Sequence, residues 1–244
     1  LYSSAASDVY KRQIKKSVLE LGGSDAYMVL EDADVEEAAR LCAESRCINS
    51  GQSCIAAKRF IVQQGIAEHF TTMLKKFMDE RVVGDPMREE TQIGPLARPD
   101  LHAHLVDQVR RSIASGGILT GPLVSGEGNL FSPLVVTGVG PGNAAFDEEL
   151  FGPVAAVSTF TTDHEAIALA NHSVYGLGSA VFTSDMERAE RFASDLQVGM
   201  VFVNTYARSD VRLPFGGTKH SGYGRELGSY GILEFVNVKT VVMT

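Results

Sequence analysis

Residues 34–62, DVEEAARLCAESRCINSGQSCIAAKRFIV, contain the signals for a helix, a polar loop and a strand in that order. The hydrophobic residues of the first part recur at helical spacing: Val35, Ala38, Ala39 and Cys42. Asp34 and Glu37 have the spacing of a cap at the start of this helix. Phe60–Val62 is aromatic and β-branched and predicts a strand. We therefore expect Asn49–Cys54 to be a loop between a helix and a strand.

The rest of the chain repeats this alternation of helices and strands. Further apolar stripes at helical spacing lie in residues 70–78, 101–113 and 186–196. Further β-branched or aromatic runs are Val154–Phe160, Ser179–Phe182 and Val201–Val203. This order predicts an α/β fold with a mainly parallel sheet flanked by helices. The last run, Phe235–Met243, predicts a strand that leaves the main body.

Composition excludes several functional classes. The chain has 244 residues, of which 44% are hydrophobic and 21% charged, as in an ordinary globular protein. A net charge of -8 argues against a nucleic-acid partner. There is no apolar run long enough to span a membrane, and the first residues lack the basic, apolar and small-residue series of a signal peptide. Three cysteines without metal-site spacing favour reduced thiols in the cytoplasm.

Four segments carry the residue types that covalent catalysis needs. They are Glu20–Gly23, Asn49–Cys54, Glu148–Pro153 and Pro214–Glu226. A cysteine in a polar, glycine-containing loop is partly exposed and close to backbone amides, which favours a thiolate. Repeated glycines in the fourth segment indicate close backbone approach or turns with positive φ. Taken singly, each segment has an alternative interpretation as a turn, a structural cysteine or a surface loop.

Together and in this order, the four segments resemble the aldehyde dehydrogenase superfamily, from about residue 14 to the C-terminus. They match its Glu-Leu-Gly-Gly, Gly-Gln-x-Cys, Glu-Glu-x-Phe-Gly-Pro and Pro-Phe-Gly-Gly-x-Lys-x-Ser-Gly motifs. Asn171 and Asn204 are two further matches, which we expect to serve the architecture of loops. The resemblance implies oxidation of an aldehyde to a carboxylic acid with NAD or NADP as cofactor.

The resemblance also implies a role for each site residue. Cys54 attacks the aldehyde, its backbone N–H stabilises the oxyanion, and Glu20 activates the water that hydrolyses the thioester. Glu149 holds the nicotinamide ribose, Phe151 packs beside the ring, and Glu226 assists a proton relay. Members that pass the acyl group to coenzyme A generally lack the glutamate of the first motif. Glu20 therefore favours hydrolysis to a free acid.

The substrate is suggested by a shorter stretch, Ser209–Pro214. It resembles dehydrogenases of succinate semialdehyde more than those of simple alkyl aldehydes. Arg212 or Ser209 could hold the distal carboxylate of such a substrate, because a guanidinium binds a carboxylate with two hydrogen bonds. The alternative is an ordinary surface arginine.

The resemblance implies a domain organisation. Residues 1–13 do not match the family, and we interpret them as a tag, scar or mistranslated end. Residues 14–22 end a dinucleotide-binding domain whose remainder would lie upstream, and residues 23–232 form the catalytic domain. Residues 233–244 form an oligomerisation strand that pairs with a partner subunit in a homodimer or homotetramer, or alternatively returns to its own sheet. The choice between NAD and NADP would depend on the upstream part.

The sequence is also compatible with two other functions. Without an upstream cofactor domain the chain would be inactive as a dehydrogenase, and it could be a catalytically silent scaffold fragment. Cys54 and Glu20 could also form a cofactor-independent thiol esterase. A zinc site is disfavoured, because His102 and His104 have no cysteine partners and alternate in a predicted helix, where we expect solvated side chains.

Overall fold

A seven-stranded sheet forms the centre of the computed structural model, which describes residues 12, 15–123 and 128–244. The strands in these ranges are β1 (Leu19–Glu20), β2 (Ala26–Val29), β3 (Arg59–Gln63), β4 (Ile118–Leu119), β5 (Leu134–Thr137), β6 (Val154–Phe160), β7 (Tyr175–Gly176), β8 (Gly178–Phe182), β9 (Met200–Val203), β10 (Thr218–Lys219) and β11 (Gly222–Tyr223). The α-helices are α1 (Val35–Cys47), α2 (Ala67–Asp79), α3 (Pro99–Ala114), α4 (Ala144–Asp147), α5 (Asp163–Asn171), α6 (Met186–Asp195) and α7 (Gly228–Leu233).

The central sheet has the strand order β4-β5-β6-β3-β2-β8-β9. Every pairing is parallel except β4 with β5. Ala26 of β2 lies opposite Arg59 of β3 on one side and Ser179 of β8 on the other. The prediction of a mainly parallel α/β sheet is therefore confirmed. Two short antiparallel ribbons, β1 with β11 and β7 with β10, lie outside this sheet.

Helices cover both faces of the sheet, as a parallel sheet requires. Tyr27 and Phe60 point to one face, where they belong to the same buried cluster as Phe70 of α2. Met28 points to the opposite face and shares a cluster with Ala166 of α5 and with α6. Because all four residues of β2 are buried, this strand lies at the middle of the core.

Local signals located four of the seven α-helices and four of the eleven strands given above. Asp34 accepts a hydrogen bond from the backbone N–H of Glu37 at 3.1 Å, which confirms the predicted cap of α1. Val154–Phe160 forms β6 with the predicted bounds. Helix α5 was not predicted, because its buried residues are the small Ala166 and Ala170 and its apolar stripe is weak. Its capping box of Thr162 and Glu165 was the signal that could have located it.

The predicted C-terminal strand at Phe235–Met243 has no strand assignment in the single chain, and its pairing with a partner subunit stays a prediction. Helix α7 ends at Leu233, and residues 234–244 have no strand assignment. A strand exists only with a hydrogen-bonded neighbour, and this segment has none in the sheets described. Its apolar side chains lie in solvent: Phe235 is 74% exposed, Val238 93% and Met243 91%. The segment thus presents an uncovered apolar surface.

The prediction for residues 1–13 lies outside the described residues, apart from Arg12. Across the described ranges, no helix is long and apolar enough to cross a membrane.

Candidate active site

Cys54 follows a loop whose backbone is unusual. Helix α1 runs into a 3₁₀ turn, and Asn49, Ser50 and Gly51 then have positive φ angles of 50°, 57° and 76°. A β-carbon on Gly51 would lie 2.3 Å from the carbonyl carbon of Gly152. Only glycine fits such a contact. The cysteine loop is therefore packed directly against the Glu148–Pro153 segment.

The Cys54 thiol is half-buried, in contrast to the buried thiols of Cys42 and Cys47. Burial raises the pKa of the Cys54 thiol, and the nearby positive charge of Lys58 opposes this effect and lowers the pKa. The negative charges of Asp25 and, to a smaller extent, Glu20 also raise the pKa of Cys54. No described residue accepts a hydrogen bond from the Cys54 backbone N–H, so this donor is available to a ligand.

Glu20 lies at the end of β1, opposite Gly222 of β11. Burial, together with the negative charge of Glu226, raises the pKa of Glu20 to about 7, although Arg225 partly opposes the shift. Both carboxylate oxygens are buried, and neither has a hydrogen-bond partner among the described residues. A β-carbon on Gly216 would lie 2.9 Å from Oε1, so the glycine makes room for this carboxylate. A carboxyl group of this kind can take up a proton near neutral pH.

The Glu20–Gly23 segment lies between Cys54 and Glu149. The backbone N–H of Gly23 donates a hydrogen bond to Oε1 of Glu149 at 3.0 Å. A β-carbon on Gly22 would lie 2.4 Å from Oε2 of Glu149, and one on Gly23 would lie 2.6 Å from the Cys54 carbonyl oxygen. The two glycines therefore allow three distant segments to meet at one place.

Glu149 and Phe151 line one cavity of about 590 Å³. Its other walls include Leu101, Gln108 and Tyr175. This volume is within the range of ligand pockets. The structure thus brings the two residues with predicted roles in cofactor binding to the same cleft.

Glu148, the other acid of this motif, has a different environment. Arg111 donates hydrogen bonds to both of its carboxylate oxygens, at 2.6 and 2.9 Å. This interaction lowers the pKa of Glu148 to about 2. Glu148 is therefore engaged by a surface arginine, and Glu149 is the acid that contacts Gly23 of the first motif.

The predicted substrate residues lie in an exposed loop after β9. The Arg212 side chain is 83% exposed and forms an ion pair with Asp210, with Nε 2.9 Å from Oδ1. Ser209 is also exposed. Within the described residues, neither makes a hydrogen bond or ion pair with Cys54 or Glu149. The neighbouring Arg208, which was not predicted as a site residue, lines a separate cavity of about 380 Å³ next to β9.

Two buried charged residues near Cys54 were missed by sequence reasoning. Lys58 is fully buried, and burial lowers its pKa to about 8. Asp25 is also buried, its Oδ1 accepts a hydrogen bond from Gly178, and burial raises its pKa to about 6. The available signal was the charged pair Lys58 and Arg59, which stands immediately before a buried apolar strand. Charges at such a position need partners in the core.

The remaining polar residues serve the architecture or the surface. The Asn171 side chain accepts from Gln197 and donates to Asp195, which agrees with its expected role in a turn. His102 differs from the prediction of a solvated residue. It is half-buried and packs edge-on against Phe131, with ring centroids 5.6 Å apart. Within the described ranges, no three metal-binding side chains come together.

The mainly parallel α/β sheet, the cysteine loop and the carboxylates of Glu20 and Glu149 together define a class of protein. Residues 3–241 match the Aldehyde dehydrogenase family, and the chain belongs to that family. The match starts within the segment 1–13, for which the motifs showed no resemblance.

Among its relatives, the chain is 48% identical over 242 residues to the probable succinate-semialdehyde dehydrogenase (NADP(+)) of Synechocystis sp., covering 98% of this chain and 52% of the relative. It is 46% identical over 230 residues to the succinate semialdehyde dehydrogenase (NAD(P)+) Sad of Escherichia coli, covering 93% and 50%. The chain thus spans about half the length of the curated relatives that it matches.

A solved structure of a related enzyme shows the same fold. The succinic semialdehyde dehydrogenase from Streptococcus pyogenes, in complex with NADP+ as the cofactor, superimposes with a TM-score of 0.93 at 36% identity. The superposition covers 99% of this chain and 53% of that one.

The different environments of the three thiols predict their reactivity. Iodoacetamide should label Cys54 at least about tenfold faster than Cys42 or Cys47, because burial raises the pKa of both helix thiols and restricts access to them. Peptide mapping by mass spectrometry after brief labelling at pH 7.5 measures the three rates. Equal rates would show that Cys54 is an ordinary structural thiol.

Proposed function

We propose that this chain is the catalytic half of an NADP- or NAD-dependent aldehyde dehydrogenase that oxidises succinate semialdehyde to the dicarboxylic acid. The observation that carries the proposal is Glu20, a buried carboxylate without hydrogen-bond partners among the described residues and with a pKa of about 7, which interacts electrostatically with Cys54. The names of the relatives support the substrate and the cofactor. Dehydrogenase activity would require the half of the relatives' length that this chain does not span.

The first step belongs to Cys54. Its thiolate adds to the carbonyl carbon of the aldehyde, forming a C–S bond while the carbonyl oxygen becomes an oxyanion. The Cys54 backbone N–H, which is not used by another described residue, can donate to this oxyanion. The positive charge of Lys58 favours the thiolate, since it lowers the pKa of Cys54.

The cleft beside the cysteine loop fits the cofactor. Oε2 of Glu149 is not used by Gly23 or Lys58 and can accept hydrogen bonds from ribose hydroxyls, while Phe151 offers an apolar surface to a ring. A bound nicotinamide dinucleotide would supply the acceptor for the hydride that leaves the former aldehyde carbon, and Cys54 would then carry a thioester.

Glu20 performs the last step. Its carboxylate removes a proton from a water molecule, the oxygen attacks the thioester carbon, and the C–S bond breaks to release the acid and the Cys54 thiolate. The proton on Glu20 must then reach solvent. Exposed Glu226, whose charge helps to raise the pKa of Glu20, is the proposed acceptor in that relay.

Replacement of Glu20 by glutamine should separate the two halves of the reaction. In the complete protein, Glu20→Gln should still produce one equivalent of NADPH per site in a burst, because thioester formation does not need the carboxylate. Steady-state turnover should fall by about 10²–10⁴-fold, the usual contribution of a general base. Stopped-flow absorbance measures both phases.

A control variant and the pH dependence of the unmodified protein complete this experiment. Glu36→Gln, at an exposed position on α1, should leave both phases unchanged. Glu20 with a raised pKa is protonated below about pH 7, so thioester hydrolysis in the unmodified protein should accelerate as pH rises through that value. Undiminished turnover in Glu20→Gln would refute its role as the base.

Substrate choice can be tested at Arg212. If its exposed guanidinium binds the distal carboxylate, Arg212→Ala should raise the KM for succinate semialdehyde roughly tenfold, the loss expected for one charge-assisted hydrogen bond. The KM for hexanal, which lacks that carboxylate, should change less than about twofold. Arg88→Ala, at another exposed arginine, serves as the control. An equal effect on both aldehydes would exclude this role for Arg212.

The exposed C-terminal segment supports a homodimer or homotetramer. Strand β9 is the last strand of the described sheet, so one of its edges is free to accept a strand from a second copy. Deletion of residues 235–244 from the complete protein should therefore lower the oligomeric mass measured by light scattering. Met87→Lys, at an exposed apolar residue elsewhere, should not change the mass. An unchanged mass after the deletion would contradict the assignment.

A further inference from the structure

Lys58 has an environment that the proposed mechanism does not explain. Its side chain is fully buried immediately before β3. Its ammonium group donates hydrogen bonds to the carbonyl oxygens of Ser53 at 2.8 Å and Cys54 at 2.9 Å. It also forms an ion pair with Oε1 of Glu149 at 3.6 Å. A lysine ammonium has three N–H groups, and here three acceptors surround it.

The partners of Lys58 come from different parts of the active site. Ser53 and Cys54 belong to the nucleophile loop, whereas Glu149 belongs to the cofactor cleft. Oε1 of Glu149 is shared between Lys58 and the backbone N–H of Gly23, in the segment that carries the proposed base. This leaves Oε2 of Glu149 as the oxygen not used by either. Lys58 is thus in contact with the loop and the cleft at once.

Lys58 affects the ionisation of the Cys54 thiol in addition to contacting the loop and the cleft. Burial lowers the pKa of Lys58 to about 8, while the charges of Glu149 and Asp25 favour its protonated form. The resulting cation lowers the pKa of Cys54, against the effect of burial. A buried charge is costly unless it is paired and hydrogen-bonded. The buried charge of Lys58 is held at a position where it lowers the pKa of Cys54.

We propose that Lys58 is a positioning residue of the active site, whose ammonium group holds the backbone of the nucleophile and the Glu149 carboxylate in one fixed arrangement. The effect on Cys54 is independent of the cofactor. The effect on Glu149 rests on the proposed function, in which that carboxylate binds the nicotinamide ribose. Lys58 itself need not touch the substrate.

A purely structural role for Lys58 predicts a different result. If Lys58 only filled space in the core, its loss would loosen the loop and expose the thiol, and Cys54 would be alkylated faster. If Lys58 positions and electrostatically favours the thiolate, its loss should slow alkylation. A rise of one unit in the pKa of Cys54 lowers the thiolate fraction about tenfold at neutral pH. The direction of the change therefore separates the two roles.

The first experiment measures iodoacetamide alkylation of Cys54 at pH 7.5 by peptide mapping. Lys58→Met should react roughly tenfold more slowly than the unmodified protein. Lys58→Arg, which keeps the charge and the donors, should restore the rate to within about threefold. Lys76→Met, the same change at an exposed lysine of α2, is the matched control and should have no effect. An unchanged or faster rate in Lys58→Met would overturn the proposal.

Thermal unfolding shows whether each variant folds. Should Lys58→Met fail to fold, Lys58→Gln takes its place, because an amide can still donate hydrogen bonds to the two carbonyl oxygens while the charge is lost. The expected result for Lys58→Gln is the same slow alkylation, and a rate equal to that of the unmodified protein would overturn the proposal.

The second experiment tests the link to Glu149 in the complete protein. Lys58→Met should raise the KM for NADP about tenfold in the presence of Glu149, but less than about twofold in a Glu149→Gln background, since the two residues act through one contact. Equal effects in both backgrounds would exclude the coupling. If the unmodified protein fails to oxidise any aldehyde, the proposed function falls, and the alkylation rates alone decide the role of Lys58.

Discussion

The active site depends on the close contact between the backbone of Gly23 and the carbonyl group of Cys54. A β-carbon at Gly23 would lie only 2.6 Å from that oxygen, so any other residue would push the two segments apart. The same kind of contact joins Gly51 to Gly152 on the other side of the cysteine loop. Three segments far apart in the chain can meet because a glycine stands at each contact. The glycines of the motifs are therefore part of the site's geometry.

This crowding produces the electrostatics of the site. Glu20 is confined beside Gly216 with no hydrogen-bond donor among the described residues, and burial with the charge of Glu226 raises its pKa to about 7. Cys54 is only half-buried, and the cation of Lys58 compensates for part of the cost of its ionisation. A carboxyl group that is readily neutralised thus lies near a thiol whose ionisation is opposed by burial and favoured by the charge of Lys58. Neighbouring groups with perturbed pKa values of this kind are characteristic of catalytic sites.

The C-terminal segment presents an uncovered apolar surface. Residues 234–244 carry several exposed apolar side chains and have no strand partner in the described sheets. Exposed apolar segments of this kind are a hazard for a free monomer, because unpaired backbone and apolar surface promote association.

Local sequence signals were sufficient for the fold class and for the family. The cap of α1 at Asp34 and the run Val154–Phe160 are determined by neighbouring residues, so periodicity and capping located them correctly. The ordered motifs likewise identified Cys54, Glu20 and Glu149 as candidate residues. Short-range signals are insufficient where an element depends on a distant partner. The C-terminal run has the composition of a strand, but a strand cannot form without a neighbour.

Only the tertiary structure decided the environment of each candidate residue. The hydrogen bond between Gly23 and Glu149 joins residues 126 positions apart, and no local pattern encodes it. The burial of Lys58 between Cys54 and Glu149, and the raised pKa of Glu20, result from the same long-range packing. The sequence alone thus determined which side chains are present and in which order. Their charges, contacts and protonation depend on desolvation by residues from the whole chain, which exists only once the chain has folded.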